Sequence, residues 1–139
     1  MDILKYRQLI QMKIHKRLYR FIGGVYKMMY DKGKKIIEQT NWLNLAKECL
    51  SIISSSTMKD KEITMLLESA ITDLERVDID VTNNIEDNLI KNTVMIYVKA
   101  HFGDTDINKK NEYLKRYKMN LRELQNTEKY QKKEVDGNA

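Results

Sequence analysis

DNLIKNTVMIYVKAHFGDTD, residues 87–106, is the stretch that decides the fold. Wound as a helix it puts Leu89, Thr93, Ile96 and Ala100 on one face and Ile90, Val94, Tyr97 and His101 on the next. Met95, Val98 and Phe102 widen the apolar arc until little is left for water. A helix of this kind, predicted over about 85–102, lies at the centre of a bundle or is covered by a neighbouring subunit. Asn83 with Glu86 three residues later is a candidate start. Gly103, just past the last apolar residue, ends it.

The same periodicity extends outward in both directions. Ile63, Leu66, Leu67, Ala70, Ile71, Leu74 and Val77 recur at spacings of three and four, which predicts an amphipathic helix over about 58–77. Thr57 with Asp60 forms a variant of the capping box at its start. Trp42, Leu45, Ala46, Cys49 and Leu50 predict a shorter helix over about 41–51 behind a Thr40 or Asn41 cap. DIDVTNN, residues 78–84, reads as a loop, because Asp and Asn favour turns over helix interiors. Beyond Gly103, Asp104 or Asp106 caps a last helix over about 107–125. Its seam is Leu114, Tyr117, Leu121 and Leu124, with Lys109, Lys110, Lys115, Arg116, Lys118 and Arg122 mostly on other faces.

The fold class expected is all-α: a small four-helix domain over 41–126, a basic N-terminal extension over 1–40 and a disordered, flexible tail over 127–139. The absence of Pro and the presence of only five Gly in 139 residues agree with helices rather than a turn-rich β fold. Charge is segregated along the chain. Residues 1–40 carry ten Lys/Arg against three Asp/Glu (+7), residues 41–106 six against twelve (−6), and residues 107–139 nine against five (+4).

The first 27 residues can be wound as a basic amphipathic helix suited to nucleic acid or an acidic membrane surface. A competing reading is that they are a translated leader. Gly23-Gly24 is encoded by GGN GGN, which readily contains a ribosome-binding sequence, and Met28-Met29 follow at a usual spacing. Starting at Met28 removes seven basic residues and one acidic, turning +5 into −1.

Several chemistries find no support in these residues. His15 and His101 stand alone, without a second His or Cys at ligand spacing, so no metal is expected. His101 reads as a helix-end residue, favoured there by the C-terminal dipole and satisfied by a neighbour, and Cys49 as a packed structural thiol. The glycines lack phosphate-loop spacing, and Asp73, Glu75, Asp78 and Asp80 are out of register for an EF-hand. Neither an enzyme nor a cofactor is expected. With one Cys and no apolar run near the ~20 residues of a membrane span, an intracellular, non-membrane product is expected.

Taken together, LLESAITDLERVDIDV, DNLIKNTVMIYVKAHFG and NEYLKRYKMNLREL, within residues 41–125, resemble the small head-tail connector (head completion, or adaptor) proteins of tailed bacteriophages and prophages. The resemblance implies a non-enzymatic virion subunit, made in the cytoplasm of a bacterial host. It implies a ring, commonly of twelve copies, between the portal protein and the tail or next adaptor or stopper protein. Such rings prolong the DNA channel, help retain packaged DNA, let it pass without sequence-specific binding, and give the tail its docking surface. Candidate subunit or portal contacts are then Asn92, Lys99, His101, Tyr113, Arg116, Tyr117 and Arg122, and candidate loop contacts are Asp78, Asp80 and Asn83. The 40-residue basic N-terminal segment departs from the family pattern. Two other classes stay open: a small helical nucleic-acid-binding or regulatory protein using the basic ends, and a peripheral membrane protein anchored by residues 1–22.

Overall fold

In a computed structural model of the chain, which describes residues 32–133, the 87–106 stretch forms the central helix. The helical elements in order are α1 (residues 32–39), α2 (Trp42–Cys49), α3 (Asp60–Arg76), α4 (Asn88–His101) and α5 (Ile107–Asn126). α4 packs against α5 on one side and α3 on another, and also touches α2. Ile90, Val94 and Val98 are buried along it, and Thr93, also buried, returns its hydroxyl to the Leu89 carbonyl at 2.6 Å. Gly103 follows with φ +58°, the left-handed conformation that stops the helix without a side-chain clash. The Thr105 hydroxyl then donates to the Phe102 carbonyl at 2.8 Å and closes the turn into α5.

The core is filled from every helix. α3 contributes Ile63, Leu67, Ala70, Ile71 and Leu74, α2 contributes Trp42 and Ala46, and α5 contributes Leu124. α5 buries only Tyr117 and Leu124, as its narrow apolar seam predicts.

The four-helix expectation needs correcting at both ends. Residues 32–39, assigned to an extension, form a fifth helix whose Ile36 and Ile37 enter the core. Two adjacent apolar residues make no recognisable period, which is why sequence pattern misses them. At the hinge to α2 the Thr40 hydroxyl donates to the Ile36 carbonyl at 2.7 Å and accepts from the Trp42 amide at 3.4 Å.

The C-terminal side is equally built. Residues 127–133, expected to be disordered, form a strap that turns through Glu128–Tyr130 and lies against the 78–84 loop. Tyr130 is buried, Ile79 and Gln131 form an antiparallel bridge, the Asp80 amide donates to the Tyr130 carbonyl at 2.7 Å, and the Lys132 amide donates to the Asp78 carbonyl at 3.0 Å. Among the described residues there is no strand beyond that bridge. The basic N-terminal stretch, the Met28 start and the last six residues lie outside the described residues.

Helix starts also differ from expectation. Asp60 begins α3, but neither Thr57 nor Lys59 caps it through a side chain. Asp60 instead meets the buried Lys47 ammonium at 2.5 Å, and Lys47 also donates to the Ser54 carbonyl. α4 starts at Asn88 rather than 85, because Asp87 is the cap: its Oδ1 accepts from the Leu89 and Ile90 amides at 2.9 and 3.3 Å. Asn83 sits earlier, in the short 3-10 turn Thr82–Asn84. Asp106 precedes α5, yet makes no side-chain cap.

Candidate functional site

The apolar surplus of α4 has a destination. Asn92, Ile96 and Lys99 lie on the side of the helix away from Ile90, Val94 and Tyr97, since successive residues turn by about 100°. That side forms a groove of about 470 Å³ between α2, α4 and α5, with Leu89, Met95, Ile96 and Cys49 among its apolar lining. Asn92, Lys99, Arg116 and Asn120 supply its polar edge. A second hollow of about 310 Å³ shares Cys49 and Lys99 and continues along Phe102, Lys109 and Tyr113 toward the α4–α5 turn. The Lys99 ammonium lies 5.8 Å from the centre of the Tyr113 ring. Among the described residues, no carboxylate lies within ion-pair distance of Lys99 or Arg116.

The structure thus brings four of the seven sequence-nominated contacts, Asn92, Lys99, Tyr113 and Arg116, into one continuous surface. Sequence reasoning missed that surface's apolar lining. The signal was present in the residues left over once α4 had served one core face.

The other three nominees lie elsewhere. Arg122 is exposed on the outer face of α5. Tyr117 is buried, and its hydroxyl donates to Asp73 Oδ2 on α3. Asp73 also pairs with Arg76 at 2.5 Å. Burial, reinforced by the hydrogen bond and charge of Asp73, pushes the Tyr117 phenol far above its ordinary value. Tyr117 is therefore an internal tie between α3 and α5 rather than a surface contact. Tyr97 packs edge-on against it with ring centres 5.4 Å apart, and burial and Asp73 raise its phenol too.

His101 packs against Tyr97 with ring centres 4.4 Å apart and the rings tilted by 47°, one turn further along the same side of α4 and away from the groove. Burial and the Lys110 cation lower the His101 pKa from 6.5, outweighing the attraction of Asp73. His101 is the last residue of α4, the helix-end position expected of it, with Tyr97 as its neighbour.

The loop nominees shape the loop itself. Asp80 accepts from the Asn83 amide at 3.2 Å and from Asn83 Nδ2 at 2.6 Å, while Asn84 Nδ2 donates to the Asp80 carbonyl at 2.7 Å. Asp78 is exposed, with φ +66°. Beneath the loop, Glu75 is fully buried; its Oε2 lies 2.6 Å from the Lys132 ammonium and its Oε1 accepts from the Val81 amide at 3.3 Å. Asp87 ties the strap from the other side, accepting from Lys129 and from the Tyr130 hydroxyl at 2.9 Å each. Burial works to raise the Asp87 pKa, but the hydrogen bonds from Lys129, Tyr130, Ile90 and Leu89 together hold it below 3.8.

Among the described residues no three His, Cys, Asp or Glu side chains converge as metal ligands, and no helix is long and apolar enough to cross a membrane. An apolar trough edged by two cations is suited to protein contact: it takes an apolar side chain with carboxylates beside it.

Residues 42–131, well over half of the chain, match the family model described as phage connector protein. The chain belongs to that family. The matched span runs from the first residue of α2 to the strap residue that bridges Ile79, so it contains every residue named above as lining the groove. No curated protein and no solved structure matches the chain. As a phage connector the protein is a structural component of the virion, working with other head and tail proteins.

Proposed function

We propose that this connector assembles as a ring beneath the portal vertex, commonly of twelve copies. The ring extends the DNA channel, helps retain the packaged genome, and presents the surface on which the tail or the next adaptor docks. The observation that carries this reading is the family match, which spans four of the five helices among the described residues, together with the groove. In this reading Asn92, Lys99, Tyr113 and Arg116 contact a neighbouring subunit or the portal protein, and the exposed Asp78 contacts a neighbour or the tail. DNA passes without sequence-specific binding, because the acidic middle of the chain, −6 over residues 41–106, offers few phosphate contacts.

Quantitative peptide mass spectrometry on gradient-purified particles tests this. Copies close to those of the portal protein in full particles are expected. Absence from particles, with the protein abundant in the lysate, overturns the reading. A second reading, a small nucleic-acid-binding protein, rests on the adjoining, exposed Lys115, Lys118 and Arg122 on α5. It requires duplex affinity that falls steeply with added salt.

A further inference from the structure

The groove has a counterpart on the same chain. On α3 the core-facing residues Ile63, Leu67, Ala70 and Leu74 leave Met65 diametrically opposite, where it is 60% exposed. One turn to either side, and on either flank of Met65, stand Glu62 and Glu68, neither of them buried. α3 therefore offers an apolar side chain between two carboxylates. The groove offers an apolar trough between two cations, Lys99 and Arg116.

Their placement matters as much as their chemistry. α3 packs on the opposite side of α4 from the groove, because Tyr97, on the far side from Asn92, Ile96 and Lys99, packs against Tyr117, whose hydroxyl donates to Asp73 on α3. The Met65 face points away from the core, and hence away from α4. A chain cannot fill its own groove with its own α3. Two different surfaces on opposite sides make a head-to-tail contact, which repeats into a ring or a filament rather than closing as a two-fold dimer.

We propose that the groove of one copy receives the outer face of α3 of the next, with Met65 over Leu89 and Ile96 and with Glu62 and Glu68 toward Lys99 and Arg116. This rests on the ring reading and names the two faces that build the ring. Rim charges set register and orientation, while the methionine supplies a desolvated centre.

The test uses two charge-reversed forms of the full chain, Glu62→Lys/Glu68→Lys on the face and Lys99→Glu/Arg116→Glu in the groove. Both are checked for native helicity by circular dichroism, and assembly is followed by sedimentation velocity, alone and with purified portal rings. Each form alone is expected to lose assembly by about tenfold or more at the concentration where the unaltered chain is half assembled. Mixed together they are expected to assemble again as alternating copies, because the sound groove of one form meets the sound face of the other and the reversed groove meets the reversed face. A chain carrying all four reversals is expected to assemble again. Assembly of both forms like the unaltered chain overturns the docking faces and leaves the connector reading standing, as does a folded mixture that stays monomeric. An unaltered chain that neither self-assembles nor joins the portal overturns the connector reading, and this docking with it.

Discussion

Lys132→Ala is expected to destabilise the fold more than Glu75→Gln, although Lys132 lies in a terminal strap and Glu75 is fully buried. Glu75 is 0% exposed, with the Lys132 ammonium 2.6 Å from Oε2 and the Lys32 ammonium at 4.0 Å. Lys132 Nζ also donates to the Glu75 carbonyl at 3.0 Å. Removing one partner of a buried pair costs about 3–5 kcal/mol, because the other charge is stranded. Here Lys32 remains nearby and the Lys132 side chain is 30% exposed, so water can follow it in. Those two facts reduce the expectation to about 2–3 kcal/mol. Glu75→Gln keeps the volume and the Val81 amide's acceptor, and leaves a lysine that can turn to solvent, so about 1 kcal/mol is expected. With a urea m-value of about 1.5 kcal/mol/M, the midpoint falls by roughly 1.3–2 M for Lys132→Ala and by roughly 0.7 M for Glu75→Gln. The double substitution is expected near the Glu75→Gln value rather than at the sum, since it strands no charge. Equilibrium urea unfolding of the three variants, at a concentration where the chain is monomeric, decides the matter. A Lys132→Ala cost below that of Glu75→Gln, or additive costs in the double variant, refutes the reasoning.

Tyr117→Phe deletes the hydroxyl that ties α5 to Asp73 and is expected to cost about 1–2 kcal/mol in urea unfolding, since Asp73 keeps Arg76. The raised phenol in the folded chain lends stability that is fully present below about pH 10, the ordinary value, and is lost as pH rises beyond it. Stability measured between pH 8 and 11 should therefore fall more steeply in the native chain than in Tyr117→Phe. Asp87 behaves oppositely: its lowered carboxyl lends stability present above 3.8 and lost as pH falls through the folded value. Amide exchange at Asp80 and Lys132 should accelerate in acid, and Asp87→Asn should remove that acid dependence. Gly103→Ala meets no neighbouring atom within 4 Å, so its expected cost, about 1 kcal/mol by thermal unfolding, comes from φ +58° alone.

What sequence pattern reads well is the long helix with a repeated stripe. α3, α4 and α5 follow from residues at spacings of three and four, and Gly103 follows from its place after the last apolar turn. What it reads badly is any contact between residues far apart in the chain. Asp87 looks like one more loop acid beside Glu86, yet it caps α4 and anchors Lys129 and Tyr130 more than forty residues later. Lys132 and Glu75 are 57 positions apart, and nothing in EKYQKK announces that one of its lysines meets a buried carboxylate. α1 fails for a related reason: Ile36 and Ile37 gain meaning only when Trp42 and Ile71 are already in place.

The candidate site was legible by half, and the missing half is geometric. A helix apolar on nearly every side announces that two surfaces will be covered, but not which of its polar residues goes with which surface. Asn92 and Lys99 fall on one side and His101 on the other because two residues of offset is about 200° of rotation, and the core takes the side of Ile90, Val94 and Tyr97. Once that side is fixed, Leu89, Met95 and Ile96 line a trough that α2 and α5 border without filling. Ile96, which lies outside the monomer's core cluster, is therefore where a neighbouring copy has most to gain by docking, and Lys99 and Arg116 beside it, which meet no carboxylate among the described residues, favour a partner that brings carboxylates.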